Sequence, residues 1–369
     1  MELSLLMQKF NVSGRLVTIN PTGNGNVNDT FLAIFRNTFA EEQVILQRVN
    51  RHVFPKPEAI MHNLCQLTAH VHPKLELEAN RADRVWQMPQ VVKTRDGNEF
   101  FVDDAGEVWR VITKIASATA FDEAQGAEHA AECGAVLGHF HWLVSDLNPQ
   151  TMIDPLPGFH ITPGYLANYD ATLEKEPLAE ERLNASMEAR RMAMFIEEHR
   201  SFAGTLQEAM DSGELKLRMM HGDPKVNNIM IDDFTGKGTA MIDLDTVSPG
   251  LIHYDFGDAL RSICNPVGEE EQNLSKVVFD LDLCSAFCKG YMSHAREFLT
   301  EADREYLYDA IRLITFELGL RFFQDYLAGS VYFKICQPEQ NLNRARVQFR
   351  LCESIEARER PIRDLLARL

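Results

Sequence analysis

The chain has 369 residues, of which 45% are hydrophobic, and it carries a formal net charge of −17. This length allows a sizeable core and favours two domains. The negative charge argues against nucleic acid or an anionic membrane as a partner.

Targeting segments and cysteine usage indicate where the protein is located. The sequence contains no apolar run of about eighteen residues, the length that predicts a transmembrane helix. The N-terminus lacks the features of a signal peptide. Seven scattered cysteines without pairing or zinc spacing are typical of reduced thiols. We therefore expect a cytoplasmic protein without a membrane partner.

The N-terminal part of the chain begins with a short amphipathic helix and a strand over Arg15–Ile19. Gly23 and Gly25 follow between two strand-like runs, and the backbone N–H groups of such a hairpin can cover phosphates. A plain turn rich in Asn and Gly is the alternative interpretation. Asn28 stands where the glycine-rich loop of protein kinases would have its third glycine.

The next strand is predicted over Val44–Gln47. In protein kinases the corresponding strand carries a lysine that contacts the nucleotide phosphates. Gln47 stands there instead, with Arg48 beside it. Because adjacent side chains of a strand face opposite sides, only one of the two can reach a nucleotide. Either Arg48 turns inward, or Lys225 and a metal ion supply more of the positive charge.

A helix over Pro57–His72 and three further strands, ending with Trp109–Ile112, complete the N-terminal part. Residues 113–116 would connect two lobes, and backbone groups around Ile115 would contact adenine. Beyond this connector the sequence becomes helical. We therefore predict a nucleotide-binding lobe over residues 1–116 and a catalytic, substrate-binding lobe over residues 117–369.

The most informative segment is HGDPKVNNIM, which runs from His221 to Met230. Asp223, Lys225 and Asn228 have the spacing of the protein-kinase catalytic loop. In phosphoryl transfer, one carboxylate orients the acceptor hydroxyl, while an amide and a second carboxylate hold Mg²⁺ against the phosphates. These residues therefore predict a phosphotransferase with Asp223 as the catalytic residue.

A predicted hairpin supplies the second carboxylate. Residues 229–231 and 239–242 form apolar strands separated by a turn, which returns the chain to Asn228. Asp243 and Asp245 follow directly, and we predict that they bind metal together with Asn228. Taken singly, each acid could equally cap a turn or end a surface strand; the ordered combination favours the catalytic interpretation.

Two further groups are predicted around this loop. His221 and Asp255 are interpreted as structural support, with Asp255 accepting from backbone N–H groups of the catalytic loop. Glu317 and Arg321 lie four residues apart in an apolar helix. They form either an internal ion pair or part of the acceptor pocket.

The motifs HGDPKVNN, IDLDT and YDFGDALR resemble those of the aminoglycoside phosphotransferase and choline kinase superfamily. Together with GNGNVNDTF, VILQRVN and ELGLRFFQDYLAGSVYF, they look most like the bacterial N-acetylhexosamine 1-kinases. The resemblance implies an α+β, bilobal, protein-kinase-like fold, with an antiparallel sheet plus a helix in the N-lobe and a larger, mostly helical C-lobe.

The resemblance also implies transfer of the ATP γ-phosphoryl group, with Mg²⁺, to the anomeric hydroxyl of GlcNAc or GalNAc. Arg321 falls where this family is expected to contact its sugar. Another hexose, an amino alcohol or an aminoglycoside stays open as acceptor, and a nucleotide-binding pseudokinase is a further alternative. We expect a monomer or a homodimer.

Overall fold

The computed structural model describes residues 2–23, 27–79 and 84–369. The N-terminal region is built on an antiparallel sheet of six strands, in the order β1-β2-β3-β6-β4, with β5 also paired to β6. The strands are β1 (Arg15–Pro21), β2 (Asp29–Arg36), β3 (Glu41–Arg48), β4 (Val91–Val92), β5 (Phe101–Val102) and β6 (Val108–Thr113).

Two helices accompany this sheet, α1 (Leu3–Met7) and α2 (Pro57–Glu78). The face of the sheet that packs on α1 is apolar, with Leu6, Phe10, Val44 and Leu46 fully buried. Val44 and Leu46 alternate along β3, as expected for a strand with one buried face. Helix α2 is longer than predicted, because it continues through Pro73 to Glu78.

The C-terminal region is mostly helical. Its helices are α3 (Ala127–Val144), α4 (Thr162–Lys175), α5 (Ala179–Asn184), α6 (Met187–His199), α7 (Thr205–Asp211), α8 (Ile252–Ile263), α9 (Leu281–Ala295), α10 (Glu301–Glu305), α11 (Leu307–Ala328), α12 (Gln340–Glu356) and α13 (Glu359–Leu366). Short strands lie beside them: β7 (Ala118–Ala120), β8 (Arg218–Met220), β9 (Ile229–Asp232), β10 (Gly238–Met241) and β11 (Ser248–Gly250).

The core of this region forms where α3 and α9 pack with their backbones in contact. A Cβ atom at Gly290 would lie 1.8 Å from the carbonyl oxygen of Ala131, and one at Gly134 would lie 2.0 Å from that of Phe287. Only hydrogen fits at these two positions. This contact makes α3 a rigid base for the hairpin β9–β10, which packs against it.

The predicted fold class is confirmed, since an antiparallel N-terminal sheet precedes a mostly helical region. The predicted hairpin after the catalytic motif is also present, as β9 pairs with β10. In the described part of the chain, no helix has the length and apolar character needed to cross a membrane.

Candidate active site

The catalytic motif lies in the loop between β8 and β9. Gly222 adopts φ +87°, and a Cβ atom there would lie 2.8 Å from the carbonyl oxygen of Thr246. A side chain at this position would therefore meet both backbone strain and a steric clash. A short 3-10 turn over Val226–Asn228 then leads into β9.

Within this loop the three motif side chains contact one another. Lys225 Nζ donates to Asp223 Oδ2 at 2.6 Å. Asn228 Nδ2 donates to the carbonyl oxygen of Asp223 at 2.8 Å and to its Oδ2 at 3.2 Å. Burial opposes ionisation of Asp223, but the Lys225 ammonium outweighs it and holds the pKa of this carboxyl below its ordinary value. Asp223 is therefore an ionised hydrogen-bond acceptor.

The hairpin brings the second acid to the same place. The backbone N–H of Ile242 donates to the carbonyl oxygen of Asn228 at 2.9 Å. The next residue, Asp243, adopts the left-handed conformation with φ +62°. Burial and the nearby charges of Asp245 and Asp223 raise the pKa of Asp243 to about 7.

These side chains suit a divalent cation. Among the residues that the structure describes, Asp243 has no hydrogen-bond or ion-pair partner, and repulsion by like charges raises its pKa. A bound Mg²⁺ would relieve that repulsion, since it prefers hard oxygen ligands. Asn228 uses its amide nitrogen for Asp223, which leaves its amide oxygen for a metal. Asn228 and Asp243 could therefore hold Mg²⁺.

Asp245 differs from its predicted role as a metal ligand, because protein donors occupy both of its oxygens. Arg110 Nη2 donates to Oδ1 and Asn28 Nδ2 donates to Oδ2 at 2.7 Å. Asp245 and Arg110 are both almost completely buried. A buried guanidinium requires a carboxylate, so Asp245 balances Arg110.

The alternative in which Arg48 turns toward the nucleotide is wrong. Arg48 Nε donates to Asp29 at 2.9 Å, and its guanidinium lies 5.9 Å from the ring centre of Trp109. Gln47 faces the cleft instead, as strand alternation requires. The side-chain oxygen Oε1 of Gln47 accepts from Arg110 Nε at 3.0 Å and from Nη2 at 2.8 Å.

The catalytic loop rests on Asp255, as expected. Asp255 Oδ2 accepts from the backbone N–H of His221 at 2.6 Å, and Oδ1 accepts from that of Gly222 at 2.8 Å. His141 Nε2 donates to the same carboxylate at 2.8 Å. His221 Nε2 in turn donates to the carbonyl oxygen of Ile242 at 2.9 Å, which joins the loop to the hairpin.

Glu317 and Arg321 do not form the ion pair that was one alternative. Glu317 is buried and accepts from His160 Nδ1 at 2.9 Å and from Thr162 Oγ1 at 2.7 Å. His160 Nε2 lies 3.0 Å from the carbonyl oxygen of Gly222. Helix α11 is therefore connected to the catalytic loop through one histidine.

Arg321 lies one helical turn beyond Glu317 and is surrounded by aromatic rings. Its guanidinium carbon lies 5.0 to 6.0 Å from four ring centres, those of Phe159, Tyr165, Tyr332 and Phe333. Within the described ranges Arg321 has no carboxylate partner. Cation–π contacts hold the guanidinium in place of an ion pair.

A cleft of about 760 Å³ joins the sheet to the catalytic loop. It is lined by four residues of the motif and hairpin, Asp223, Lys225, Asn228 and Asp243, and by three further predicted nucleotide-binding residues, Gly23, Gln47 and Ile115. Gly25 lies outside the described residues. Ile115 belongs to the connector after β6, so the cleft extends from the predicted adenine end to Asp223, the predicted catalytic residue.

Sequence reasoning missed Asn28, Arg110, His141 and His160 as parts of this site. Of these four residues, only Arg110 was indicated by the sequence, because an arginine within the apolar strand Val108–Thr113 needs a buried partner. The partners of the two histidines lie more than a hundred residues away in the chain, at Asp255 and Glu317.

Comparisons with known proteins identify the family to which this chain belongs. The model of the phosphotransferase enzyme family matches residues 19–275, so the chain belongs to this family. It is similar to a choline kinase from Cryptosporidium parvum, with a TM-score of 0.59, 12% sequence identity and coverage of 98% of this chain and 96% of that one.

Two other solved structures are similar over equally long stretches. An aminoglycoside phosphotransferase from Alicyclobacillus acidocaldarius has a TM-score of 0.57 and 13% identity, covering 98% of this chain and 96% of that one. A microcompartment-associated aminopropanol kinase has a TM-score of 0.53 and 15% identity, covering 98% of both chains. At this identity the likeness shows a shared fold.

Proposed function

We propose that this protein transfers the γ-phosphoryl group of ATP to a hydroxyl group of a small molecule. The observation that carries this proposal is the convergence of Asp223, Lys225, Asn228 and Asp243 on one cleft. The chain's membership of the phosphotransferase enzyme family supports the same chemistry. The solved structures that share the fold include an aminopropanol kinase and a choline kinase.

The residues divide the work of the reaction. Lys225 and Asn228 engage Oδ2 of Asp223, and among the described contacts Oδ1 is left to accept from the acceptor hydroxyl. A low pKa suits a carboxylate that orients the hydroxyl and takes its proton late, in a loose transition state. When bound, Mg²⁺ held by Asn228 and Asp243 would neutralise charge on the phosphates.

For the acceptor we propose a neutral sugar, with the anomeric hydroxyl of an N-acetylhexosamine as first candidate. Arg321 supports this choice, because its own guanidinium occupies the aromatic cage that would otherwise suit a ligand's ammonium. A cationic acceptor such as choline or an aminoglycoside would be repelled by this charge. A sugar can instead accept hydrogen bonds from Arg321 and stack on Tyr165 or Tyr332.

An acceptor screen tests the proposed reaction. Purified protein with Mg-ATP should release ADP on addition of GlcNAc or GalNAc, and phosphorus NMR should locate the phosphate on C1. Asp223→Asn should abolish turnover, whereas Asp211→Asn, at an exposed helix end, should not. ADP release with choline or kanamycin but with no sugar would overturn the sugar assignment. The absence of release with every acceptor would overturn the transfer itself.

The role of Arg321 has its own test. Arg321→Gln should raise KM for the sugar roughly 10- to 100-fold, the value of a charge-assisted hydrogen bond, and leave KM for ATP unchanged. Arg321→Lys keeps the charge but loses the planar fork, so it should recover only part of the affinity. An unchanged KM for the sugar in both variants would remove Arg321 from the acceptor pocket.

A further inference from the structure

Arg110 is a buried cation at the sheet side of the cleft, and the reaction described above does not yet use it. It lies on β6 directly opposite Gln47 of β3, since the two Cα atoms are partners in the antiparallel register. Its exposed fraction is 2%, and it lines the same cleft as Asp223 and Asp243. A nucleotide bound in this cleft would therefore have Arg110 along one wall.

The hydrogen bonds of Arg110 leave one nitrogen unused. Nε and Nη2 donate to the side-chain oxygen Oε1 of Gln47, and Nη2 also donates to Asp245. Nη1 is buried and, among the residues that the structure describes, has no partner. A buried donor without a partner is destabilising, so a ligand oxygen that accepted from Nη1 would gain more than at an exposed arginine.

Gln47 has no charged donor to offer. One N–H of its amide nitrogen donates to Thr30 Oγ1 at 3.2 Å, and its side-chain oxygen Oε1 accepts from Arg110. The sequence-based role of Gln47 as a direct phosphate ligand therefore changes. Gln47 orients the guanidinium of Arg110, and Asp245 does so from the other side.

The other cations that line the cleft, Lys225, Arg261 and Lys114, already have hydrogen-bond partners. Lys225 is paired with Asp223, Arg261 donates to Asp258 and Glu269, and Lys114 donates to the carbonyl oxygen of Ile115 in the connector. Arg110 shares the Asp245 carboxylate with Asn28, a neutral donor from the segment after the glycine-rich turn. Asp245 thus joins Arg110 to the segment that follows that turn.

We propose that Arg110 binds the phosphates of the nucleotide through its unpaired Nη1, with Gln47 and Asp245 fixing its orientation. The positive charge that protein kinases carry on strand β3 as a lysine is transferred here to the neighbouring strand. This inference rests on the proposed function, because it requires a nucleotide in the cleft. A guanidinium suits the task, since its fork can bond two acceptors at once.

Direct titration with ATP and with adenosine, both without an acceptor, tests the proposal. Arg110→Gln should weaken ATP binding roughly 10- to 100-fold and leave adenosine binding unchanged, because adenosine has no phosphate. Equal weakening of both ligands would mean a purely structural role and would overturn the proposal. Unchanged ATP binding would overturn it as well.

A transposed charge provides a matched control. In the double variant Gln47→Lys/Arg110→Gln, a cation returns to β3 opposite the same register position. This variant should recover at least part of the ATP affinity that Arg110→Gln loses, again without change for adenosine. No recovery, in a variant that still binds adenosine, would contradict the inference.

The failure of the two proposals is distinguishable. If wild-type protein binds no ATP, the proposed function fails and this inference fails with it. If wild-type protein binds ATP and Arg110→Gln binds it equally well, only the assignment of Arg110 fails. Should Arg110→Gln not fold, Arg110→Lys replaces it in the comparison of ATP with adenosine. The lysine ammonium keeps a positive charge but cannot bond Gln47, Asp245 and a phosphate together. Binding of ATP should therefore weaken, whereas binding of adenosine should not change.

Discussion

Replacing the Asp255 carboxylate with an amide should destabilise the protein and slow its reaction together. Asp255 is completely buried and accepts from three donors, the backbone N–H groups of His221 and Gly222 and the ring of His141. Burial opposes its ionisation, but hydrogen bonds and charge from the two histidines hold its pKa below the ordinary value. The wild-type carboxylate is therefore charged throughout the neutral range.

The magnitude follows from counting donors. In Asp255→Asn, the amide nitrogen replaces one acceptor oxygen. If it replaces Oδ1, the N–H of Gly222 loses its partner; if it replaces Oδ2, both His221 and His141 lose theirs. The first orientation is the less costly one. One buried unsatisfied donor plus the lost charge amounts to about 3 kcal/mol of unfolding free energy.

The catalytic effect follows because Gly222 immediately precedes Asp223. A displaced loop misorients the carboxylate, and supporting residues of this kind typically change activity by about 10- to 100-fold. Urea unfolding followed by tryptophan fluorescence measures the stability, and initial rates of ADP release measure kcat. Both should fall in Asp255→Asn.

Asp232→Asn is the matched control. Asp232 also accepts from two backbone N–H groups, those of Phe234 at 3.1 Å and Thr235 at 2.7 Å, but it does so at the solvent-exposed hairpin turn. Its variant should keep wild-type kcat and change stability little. If Asp255→Asn unfolds at the wild-type urea concentration and reacts at the wild-type rate, the argument that this carboxylate organises the loop is refuted.

Two further predictions concern the helical core. Gly290→Ala should lower the unfolding free energy by about 3 kcal/mol, because its Cβ would lie 1.8 Å from the Ala131 carbonyl oxygen. The control is Gly164→Ala, in an exposed helical turn with no atom within 4 Å, which should be neutral or stabilising by up to about 1 kcal/mol. Equal urea midpoints for the two variants would contradict the packing argument. Burial lowers the pKa of His253 to about 4, so the stability it contributes is present above pH ~6.5 and is lost as the pH falls toward 4. His253→Gln, which can still donate to the Asp303 carbonyl oxygen, should reduce the stability difference between pH 7 and pH 5 by about 2 kcal/mol in urea titrations; an unchanged difference would exclude His253 as its source.

The parts of the site that the sequence predicted depend on residues close together in the chain. Asp223, Lys225 and Asn228 lie within one loop, where spacing alone limits how they can meet. The hairpin that returns to Asp243 needs only two short apolar runs and a turn. Asp255 was interpretable because an acid at the start of an apolar helix commonly accepts from backbone donors.

The parts that the sequence did not predict depend on which strands pair and which helices meet. Arg48 looked as suitable as any other cation until β2 placed Asp29 beside it on the outer face. Arg110 became a candidate only through its register opposite Gln47 and its contact with Asp245, which is 135 residues away in the chain. Glu317 was likewise not predictable, because no local sequence pattern indicates that His160 is its partner.

The sequence by itself thus determined the chemistry of this protein: an aspartate, an amide and a second acid in the order that phosphoryl transfer requires, within an antiparallel sheet followed by helices. The tertiary structure alone decided how charge is distributed around that chemistry. It pairs Asp245 with Arg110, leaves Arg321 among aromatic rings and turns Arg48 outward. The physical reason is that the spacing of residues along a loop limits their contacts directly, whereas the partner of a buried charge is set by strand register and helix packing across the whole chain.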